Sequence, residues 1–303
     1  MSAVKPVVTV GVCVRNSAST IREAIESIIS QDFSHELMEI IFVDDGSEDN
    51  TLSIIQEYVL MMDIEAKVFH ISWQGLGAAR NFVVENAGGK YIVWVDGDMV
   101  LPEDHVRKQV EFMEKNPKVG IAKARYGVST EESLFGFLEN VAYVAVDVMY
   151  GGKSTSRTLG TGGSIYRAEA IHQVGGFDAH LSGVGEDMDV ETRVREVGWL
   201  LFLGSPTIFY EQRRKSLKSI WREGFWHGYG GHRVLRKNKG AFALYKMTPI
   251  AGLIAGAWYA TIAYKTTHRK IVFLLPLQYA FKRIAWCFGF VKGQIEGCKH
   301  GVR

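Results

Sequence analysis

The sequence has few of the features that mark secreted, zinc-bound or nucleic-acid-binding proteins. Its three cysteines, Cys13, Cys287 and Cys298, show no Cys-x-x-Cys spacing, so neither a zinc site nor a disulfide framework is predicted. Residues 1–5 lack the apolar core of a signal peptide, and we expect no secretion. The 35 Lys and Arg residues nearly balance 33 Asp and Glu, so there is no overall basic field and we expect no nucleic-acid partner. No internal repeat or low-complexity segment is present.

What the chain does have is an alternation of apolar strands and amphipathic helices over its first 110 residues or so. Strands are predicted at 7–15, 40–43, 66–71 and 91–95, and each is followed by a helical pattern. Continuous β-branched runs are typical of strands buried on both faces of a parallel sheet. We therefore predict an α/β fold with an open, mostly parallel twisted sheet and helices on both faces.

Polar side chains follow three of these strands. Asn16 ends the first, Asp44 and Asp45 end the second, and Asp96 and Asp98 end the fourth. Ligands of such sheets bind beyond the carboxyl ends of the strands, so we predict the functional site there. Two carboxylates one residue apart can share Mg²⁺ with substrate phosphates. The alternative for each acidic pair is an ordinary turn, or a cap of the next helix.

Two further patterns have both a structural and a functional interpretation. The run from Gly75 to Arg80 follows a strand and resembles a dinucleotide fingerprint, but Arg80 stands where close helix packing requires a glycine. A guanidinium there suits a nucleotide base or phosphate instead. Glu186 and Asp187 open a helix, where acids are favoured by the helix dipole. The functional interpretation makes Asp187 a general base.

The last part of the chain is basic and then apolar. Residues 247–264 carry no charge and are just long enough to span a bilayer, whereas the apolar segment 271–291 contains Lys282 and Arg283. We predict a catalytic domain at 1–240 and a membrane-associated hairpin at 241–303, with the two cations at headgroup level. The alternative is a pair of buried core helices. A basic cluster either neutralises a diphosphate leaving group or an anionic lipid surface, or is simply a solvated face: Arg213, Arg214, Lys215, Lys218 and Arg222. The whole basic stretch 213–239 would keep the catalytic domain on the cytoplasmic face.

Taken in order, five motifs resemble those of the family-two glycosyltransferases between about residues 7 and 230. They are Val43-Asp44-Asp45-Gly46-Ser47, Gly77-Ala78-Ala79-Arg80-Asn81, Asp96-Gly97-Asp98, Gly162-Gly163-Ser164 and Gly185-Glu186-Asp187-Met188-Asp189. The resemblance implies a GT-A fold and an inverting enzyme that transfers a sugar from a nucleotide-diphospho-sugar donor. A glycan or a polyprenyl-linked molecule is the expected acceptor.

The resemblance also implies roles for single residues. Asn16 and Asp44 or Asp45, together with Arg80, would bind the donor at its base, and Asp96 would contact the ribose. Asp98, with Asp96, would hold Mg²⁺ or Mn²⁺ on the diphosphate. The acceptor side would be shaped by Gly162, Gly163 and Ser164. Asp187, beside Glu186, would deprotonate the acceptor.

The sequence departs from the family pattern at three places. Cys13-Val14-Arg15-Asn16 replaces a Pro-x-Tyr-Asn type of sequence, and Tyr210-Glu211 stands where many relatives have a metal-binding histidine. The segment 212–216 matches the Gln-x-x-Arg-Trp motif of processive synthases only at Gln212, which favours transfer of a single sugar.

Two other functions fit a similar sheet. A sugar nucleotidyltransferase would need a glycine-rich basic loop after the first strand, and residues 16–19 (Asn-Ser-Ala-Ser) offer none. A non-catalytic GT-A-like scaffold would tolerate loss of the acids, yet Asp96, Asp98, Glu186 and Asp187 are all present.

Overall fold

The structure is a computed structural model that describes residues 5–129, 133–181, 184–211, 216–237, 239 and 242–296. The chain forms two compact units. The sheet unit consists of Met1–Arg125, Gly152–Ser182 and Glu186–Glu211, and the helical unit consists of Tyr126–Gly151, Gly183–Gly185 and Gln212–Arg303. This division differs from the predicted boundary at 240/241, because two earlier helical segments pack with the C-terminal helices.

Nine strands form the sheet of the described residues, in the order β3-β2-β1-β4-β8-β6-β9-β5, with β7 paired to β9. β3, β2, β1 and β4 are adjacent in this order and pair in parallel. β8 lies between β4 and β6 and is antiparallel to both. The strands are β1 (Val8–Val14), β2 (Met38–Asp45), β3 (Glu65–Ile71), β4 (Tyr91–Trp94), β5 (Met99–Val100), β6 (Val119–Tyr126), β7 (Lys153–Ser154), β8 (Ser164–Arg167) and β9 (Leu200–Glu211).

The α/β fold predicted from the sequence is confirmed for the sheet unit. β1, β2 and β4 are buried along their whole length, as their continuous apolar sequences predicted. The helices of the chain are α1 (Ile21–Ile29), α2 (Thr51–Val59), α3 (Leu76–Asn86), α4 (His105–Lys115), α5 (Leu134–Tyr150), α6 (Ala168–Gln173), α7 (Glu186–Glu196), α8 (Leu217–Lys237), α9 (Pro249–Thr267) and α10 (Leu275–Glu296).

The helical unit contains α5, α8, α9 and α10, and α10 approaches both α8 and α9 through glycines. A Cβ atom on Gly228 of α8 would lie 1.9 Å from the carbonyl oxygen of Trp286, and one on Gly289 of α10 would lie 1.8 Å from that of Phe225. Neither position can hold a side chain while the two helix backbones stay this close. The same type of contact joins α9 to α10 at Gly252 and Gly256.

Lys282 has acidic partners that the sequence did not predict, and its position at headgroup level stays a prediction. Its ammonium group donates to a carboxylate oxygen of Glu139 and lies 3.8 Å from Glu223. A cation between packed helices is tolerated when a carboxylate pairs with it, and α5 and α8 supply these two acids. Arg283 places Nη1 2.7 Å from the sulfur of Met247.

The predicted basic cluster can be followed only in part. Lys218 and Arg222 are exposed on α8. Arg213, Arg214 and Lys215 lie outside the described residues, as do Gln212, Gly183 and Cys298.

Candidate functional site

The carboxyl ends of three neighbouring parallel strands carry the predicted donor-binding residues. β1 lies between β2 and β4 and runs in the same direction as both. Asn16, the pair Asp44 and Asp45, and the turn from Asp96 to Asp98 therefore share one edge of the sheet. The structure brings these residues together as the sequence predicted.

Both aspartates at the end of β2 are buried and hydrogen-bonded within the chain. Asp45 accepts the backbone N–H of Gln74 at 2.7 Å and that of Gly75 at 2.9 Å, one on each carboxylate oxygen. Asp44 Oδ2 lies 2.8 Å from Nδ1 of His70. The bonds of Asp45 hold the loop after β3 against β2. Asp44 Oδ1 also accepts the N–H of Ser47 at 3.3 Å, which is the predicted turn role. Contact with a nucleotide base stays a prediction.

Asn16 joins the loops that follow β1 and β2. Its backbone adopts the left-handed region (φ 53°), which asparagine tolerates better than most residues. Its N–H donates to the hydroxyl of Ser47 at 2.9 Å, and its side-chain oxygen accepts the N–H of Glu48 at 2.8 Å. The neighbouring Arg15 places its guanidinium 5.2 Å from the ring centre of Trp73.

The turn Asp96-Gly97-Asp98 connects β4 to β5. The Asp96 side chain is 40% exposed, and Asp98 is half-buried. No group of three or more His, Cys, Asp or Glu side chains suited to a metal ion occurs among the described residues. Magnesium commonly uses one or two carboxylates plus substrate phosphates, so Asp96 and Asp98 fit a cation bound together with a diphosphate.

A third carboxylate lies near this turn. β5 pairs antiparallel with the end of β9, and this register sets Glu211 directly opposite Met99, the residue after Asp98. Glu211 therefore stands where many relatives have a metal-binding histidine, and its carboxylate offers oxygen ligands instead.

Arg80 is buried among acidic side chains. Its Nη1 donates to Glu186 Oε1 at 2.5 Å, and its Nη2 lies 3.9 Å from Asp96 Oδ1. Burial acts to lower the pKa of Arg80, but the negative charges of Glu186, Asp96 and Asp187 outweigh it and raise the pKa. This geometry makes Arg80 a fixed cation between two groups of carboxylates, whereas the sequence predicted a contact with the base.

The two acids that open α7 have different surroundings. Glu186 is 3% exposed, and burial together with the charge of Asp187 raises its pKa to about 7. Asp187 is half-buried, and its Oδ1 accepts the N–H of Met188 at 2.7 Å. Glu186 is thus the partner of Arg80. Asp187 is the less buried of the two carboxylates, and its role as a general base stays a prediction.

A glycine turn at 160–164 lies close to both Asp96 and Asp187. A Cβ atom on Gly162 would lie 2.5 Å from Asp96 Oδ2, so only glycine allows this approach. At Gly160 the corresponding position is 3.6 Å from Asp187 Oδ2. The turn therefore has Asp96 beside Gly162 and Asp187 beside Gly160.

The other predicted acceptor-side residues shape this turn from within. Ser164 is fully buried, and its hydroxyl donates to the carbonyl of Gly160 at 2.6 Å. Gly163 has φ 70°, and a Cβ atom there would meet the ring of Phe209 at 2.5 Å. The Ser164 hydroxyl is thus used inside the turn, and any direct contact with an acceptor stays a prediction.

Two buried charges beneath the turn were missed by the sequence analysis. Glu191 accepts the N–H of Leu159 at 2.8 Å and that of Gly160 at 2.7 Å. Lys123 donates to two carbonyls of the turn at 2.5 and 3.5 Å. Glu191 follows Asp187 by four residues on α7, and this spacing places both acids on one helix face. That spacing was the signal in the sequence for Glu191.

The free energy of unfolding should fall as the pH rises from about 5 to about 8. Burial, aided by the charge of Asp187, raises the pKa of Glu186 to about 7 and that of Glu191 to about 8 from an ordinary 4.5. Between the ordinary pKa and the raised ones, the native state keeps protons that the unfolded state has lost. The free energy of unfolding therefore decreases as the pH rises. Urea denaturation at several pH values measures this slope. A stability that increases across the range would contradict the assignment.

Comparison with known proteins identifies relatives along much of the chain. The sequence profile of the family described as glycosyl transferase family 2 matches residues 9–175. A poly-beta-1,6-N-acetyl-D-glucosamine synthase of Staphylococcus epidermidis is 26% identical over 236 residues, which cover 74% of this chain and 54% of that protein. The synthase of Staphylococcus aureus strain COL is 21% identical with the same coverage of both chains. The chain thus spans about half the length of these relatives.

Solved structures show the same fold. The mannosyltransferase PcManGT from Pyrobaculum calidifontis, in complex with GDP-Man and Mn²⁺, aligns with a TM-score of 0.66 and 18% identity over 97% of this chain and 88% of its own. Residues 1–349 of TarS from S. aureus, in complex with UDP, align with a TM-score of 0.53 and 17% identity over 95% and 91%. These likenesses show the GT-A fold.

Proposed function

Because the chain belongs to glycosyl transferase family 2, we propose that it transfers one sugar, with inversion, from a nucleotide-diphospho-sugar to a hydroxyl or phosphate acceptor. One observation carries the proposal: the half-buried Asp187 and the strand-end carboxylate Asp96 both lie beside the 160–164 turn. A cell-surface glycan or a polyprenyl-linked molecule is the expected acceptor.

The chain's own residues divide the reaction between them. Asp187 accepts the proton of the acceptor hydroxyl, whose oxygen attacks the anomeric carbon from the face opposite the leaving group. The bond between this carbon and the diphosphate oxygen breaks, and the nucleoside diphosphate leaves with the electron pair. Asp96 and Asp98, with Glu211 nearby, would hold Mg²⁺ or Mn²⁺. Such a cation supplies charge neutralisation at the diphosphate.

A donor assay separates this function from the two alternatives. The full chain is incubated with UDP-GlcNAc or GDP-mannose and Mn²⁺, and released UDP or GDP is measured. A nucleotidyltransferase would instead release pyrophosphate from a nucleoside triphosphate and a sugar phosphate, and a scaffold would release neither product. Mass spectrometry of the acceptor shows whether one sugar or a polymer is added.

Replacing Asp98 with alanine should abolish metal-dependent donor binding, because the cation loses a principal carboxylate ligand. Calorimetry with UDP-GlcNAc and GDP-mannose, with and without Mn²⁺, measures the effect. Asp63→Ala is the matched control, since the Asp63 side chain is 75% exposed and outside the site. An unchanged affinity of Asp98→Ala in the presence of Mn²⁺ would sink the metal-ligand assignment.

We also propose that the helical unit is membrane-associated, with the catalytic residues on the cytoplasmic side. Among the described residues, one helix, Lys270–Glu296, is long and apolar enough to cross a membrane by length and composition. α9 supports the proposal by burying small residues and exposing large ones, the reverse of a helix in a water-soluble core. It buries Gly252, Gly256, Ala260 and Ala263 and exposes Ile250, Leu253, Ile254 and Trp258.

The full chain should therefore pellet with membranes and resist carbonate extraction. Glutamate at both Ile254 and Trp258, which are 69% and 60% exposed, should move protein severalfold from the pellet to the supernatant. Leu60→Glu is the control, because Leu60 is 87% exposed but lies in the sheet unit. These point changes are preferable to a chain shortened at Lys239, since removal of α10 would uncover the glycine face of α8. Full-length protein that stays soluble without detergent contradicts the proposal.

A further inference from the structure

Glu191 is a buried carboxylate that lies outside the five sequence motifs. It is 2% exposed and lies one helical turn after Asp187 on α7. Each of its two oxygens accepts one backbone N–H, from Leu159 and from Gly160. Both carboxylate oxygens are therefore directed at the start of the glycine turn.

The same turn is held from its other side by a positive charge. Lys123, on the buried strand β6, is 4% exposed and donates to the carbonyl oxygens of Gly160 and Gly162. An anion therefore binds the N–H groups of the turn while a cation binds its carbonyls. Burying both charges is costly. Two apolar residues would fill this space without that cost, but they would not fix the peptide groups of the turn.

The position of the turn matters because it separates the two ends of the site. Gly162 packs directly on Asp96, and Gly160 lies beside Asp187. A shift of the turn would change the distance between the donor carboxylate and the base. Misplacement of reacting groups by about 1 Å can slow an enzyme roughly 100-fold.

We propose that Glu191 is a positioning residue for sugar transfer, which fixes the 160–164 turn between Asp96 and Asp187 through the N–H groups of Leu159 and Gly160. The proposal rests on the proposed function. It is specific for a carboxylate, because glutamine has the same shape but would present an NH₂ group to one of the two N–H donors.

The direct test is Glu191→Gln in the full chain, with the exposed Glu196→Gln on the same helix as control. Hydrogen exchange is resolved at the amides of Leu159 and Gly160 at pH 8.5, where Glu191 is mostly ionised, and it needs no substrate. We expect exchange at one or both amides to be at least 10-fold faster in Glu191→Gln and unchanged in Glu196→Gln. Equal exchange in wild type and Glu191→Gln overturns the proposal.

The second readout separates positioning from a merely structural role. Burial raises the pKa of Glu191 to about 8, so the measurement is made at pH 8.5, where most of the carboxyl is ionised. At this pH, UDP or GDP release from UDP-GlcNAc or GDP-mannose with Mn²⁺ is measured. We expect kcat to fall at least 10-fold while the Kd for the donor stays the same. If the melting temperature and donor affinity fall together with kcat, Glu191 is structural and the proposal fails.

Two outcomes need their own controls. If Glu191→Gln does not fold, Glu191→Asp keeps the charge but shortens its reach, and the same faster exchange and lower kcat are expected. If the wild-type chain releases neither nucleotide, the proposed function fails and the transfer role with it. The exchange rates at Leu159 and Gly160 still decide whether Glu191 holds the turn.

Discussion

Replacing Asp187 with asparagine should slow sugar transfer about 100-fold or more, with little change in donor affinity or in stability. The rate falls because the amide cannot accept the acceptor proton, and general base catalysis contributes about 10²–10⁴-fold. Stability is maintained because the amide oxygen can still accept the N–H of Met188. Single-turnover transfer, donor calorimetry and thermal unfolding measure the three quantities.

Asp189→Asn is the matched control for this prediction. Asp189 lies on the same helix, but it is 8% exposed and its Oδ2 accepts Nε of Arg193 at 2.8 Å. The guanidinium of Arg193 also donates to the carbonyls of Val174 and Gly176, so this pair holds the loop after α6. We expect Asp189→Asn to lose stability first. If instead Asp187→Asn keeps its turnover and loses stability, Asp187 is only a helix cap and Asp189 becomes the next candidate base.

Arg80→Met should destabilise the protein by about 3–5 kcal/mol, because it leaves the buried carboxyl of Glu186 without its cation. Glu186 is 3% exposed, and one of its oxygens has no hydrogen-bond partner among the described residues. The loss should grow with pH, since an unpaired Glu186 binds its proton still more tightly in the native state than in the unfolded state. Chemical denaturation at pH 5 and pH 8 measures both effects.

A double replacement tests whether the pair itself is responsible. Arg80→Met combined with Glu186→Leu removes both charges, and replacing a buried pair by apolar groups is often neutral for stability. We therefore expect the double variant to be more stable than Arg80→Met alone. Equal stabilities of the two variants would show that Arg80 acts mainly through Asp96 or through its packing on Trp94 and Phe177.

The parts of the fold that follow from local sequence patterns could be predicted. β1 and β2 are continuous apolar runs, and the side chains that follow them gave the location of the site, because parallel strands end at one edge. The late insertion of β8 beside β4 could not be predicted. That pairing joins Tyr91 to Arg167, and local periodicity carries no information on contacts so distant in the chain.

The partners of buried charges were the least predictable part of the candidate site. Arg80 suggested contact with a nucleotide base or phosphate because a guanidinium stands where the fingerprint has a glycine, yet Glu186 pairs with it from a distant helix. Likewise, Lys282 suggested a headgroup position, and its partner Glu139 belongs to α5. Such ion pairs form only when separate helices and strands have packed together. The residue types therefore predict which charges are in the site, but not which charge pairs with which.

The position of β8 also has a consequence for how the protein is made. The fully buried β4 (Tyr91–Trp94) pairs on one side with β1 and on the other with β8, which is synthesised roughly 70 residues later. At a translation rate of about 5–20 residues per second, a nascent chain exposes an unpaired apolar edge for several seconds. Unpaired edges of this kind template aggregation. Overproduction should therefore yield more soluble protein with added chaperones, which shield that edge until β8 has emerged from the ribosome.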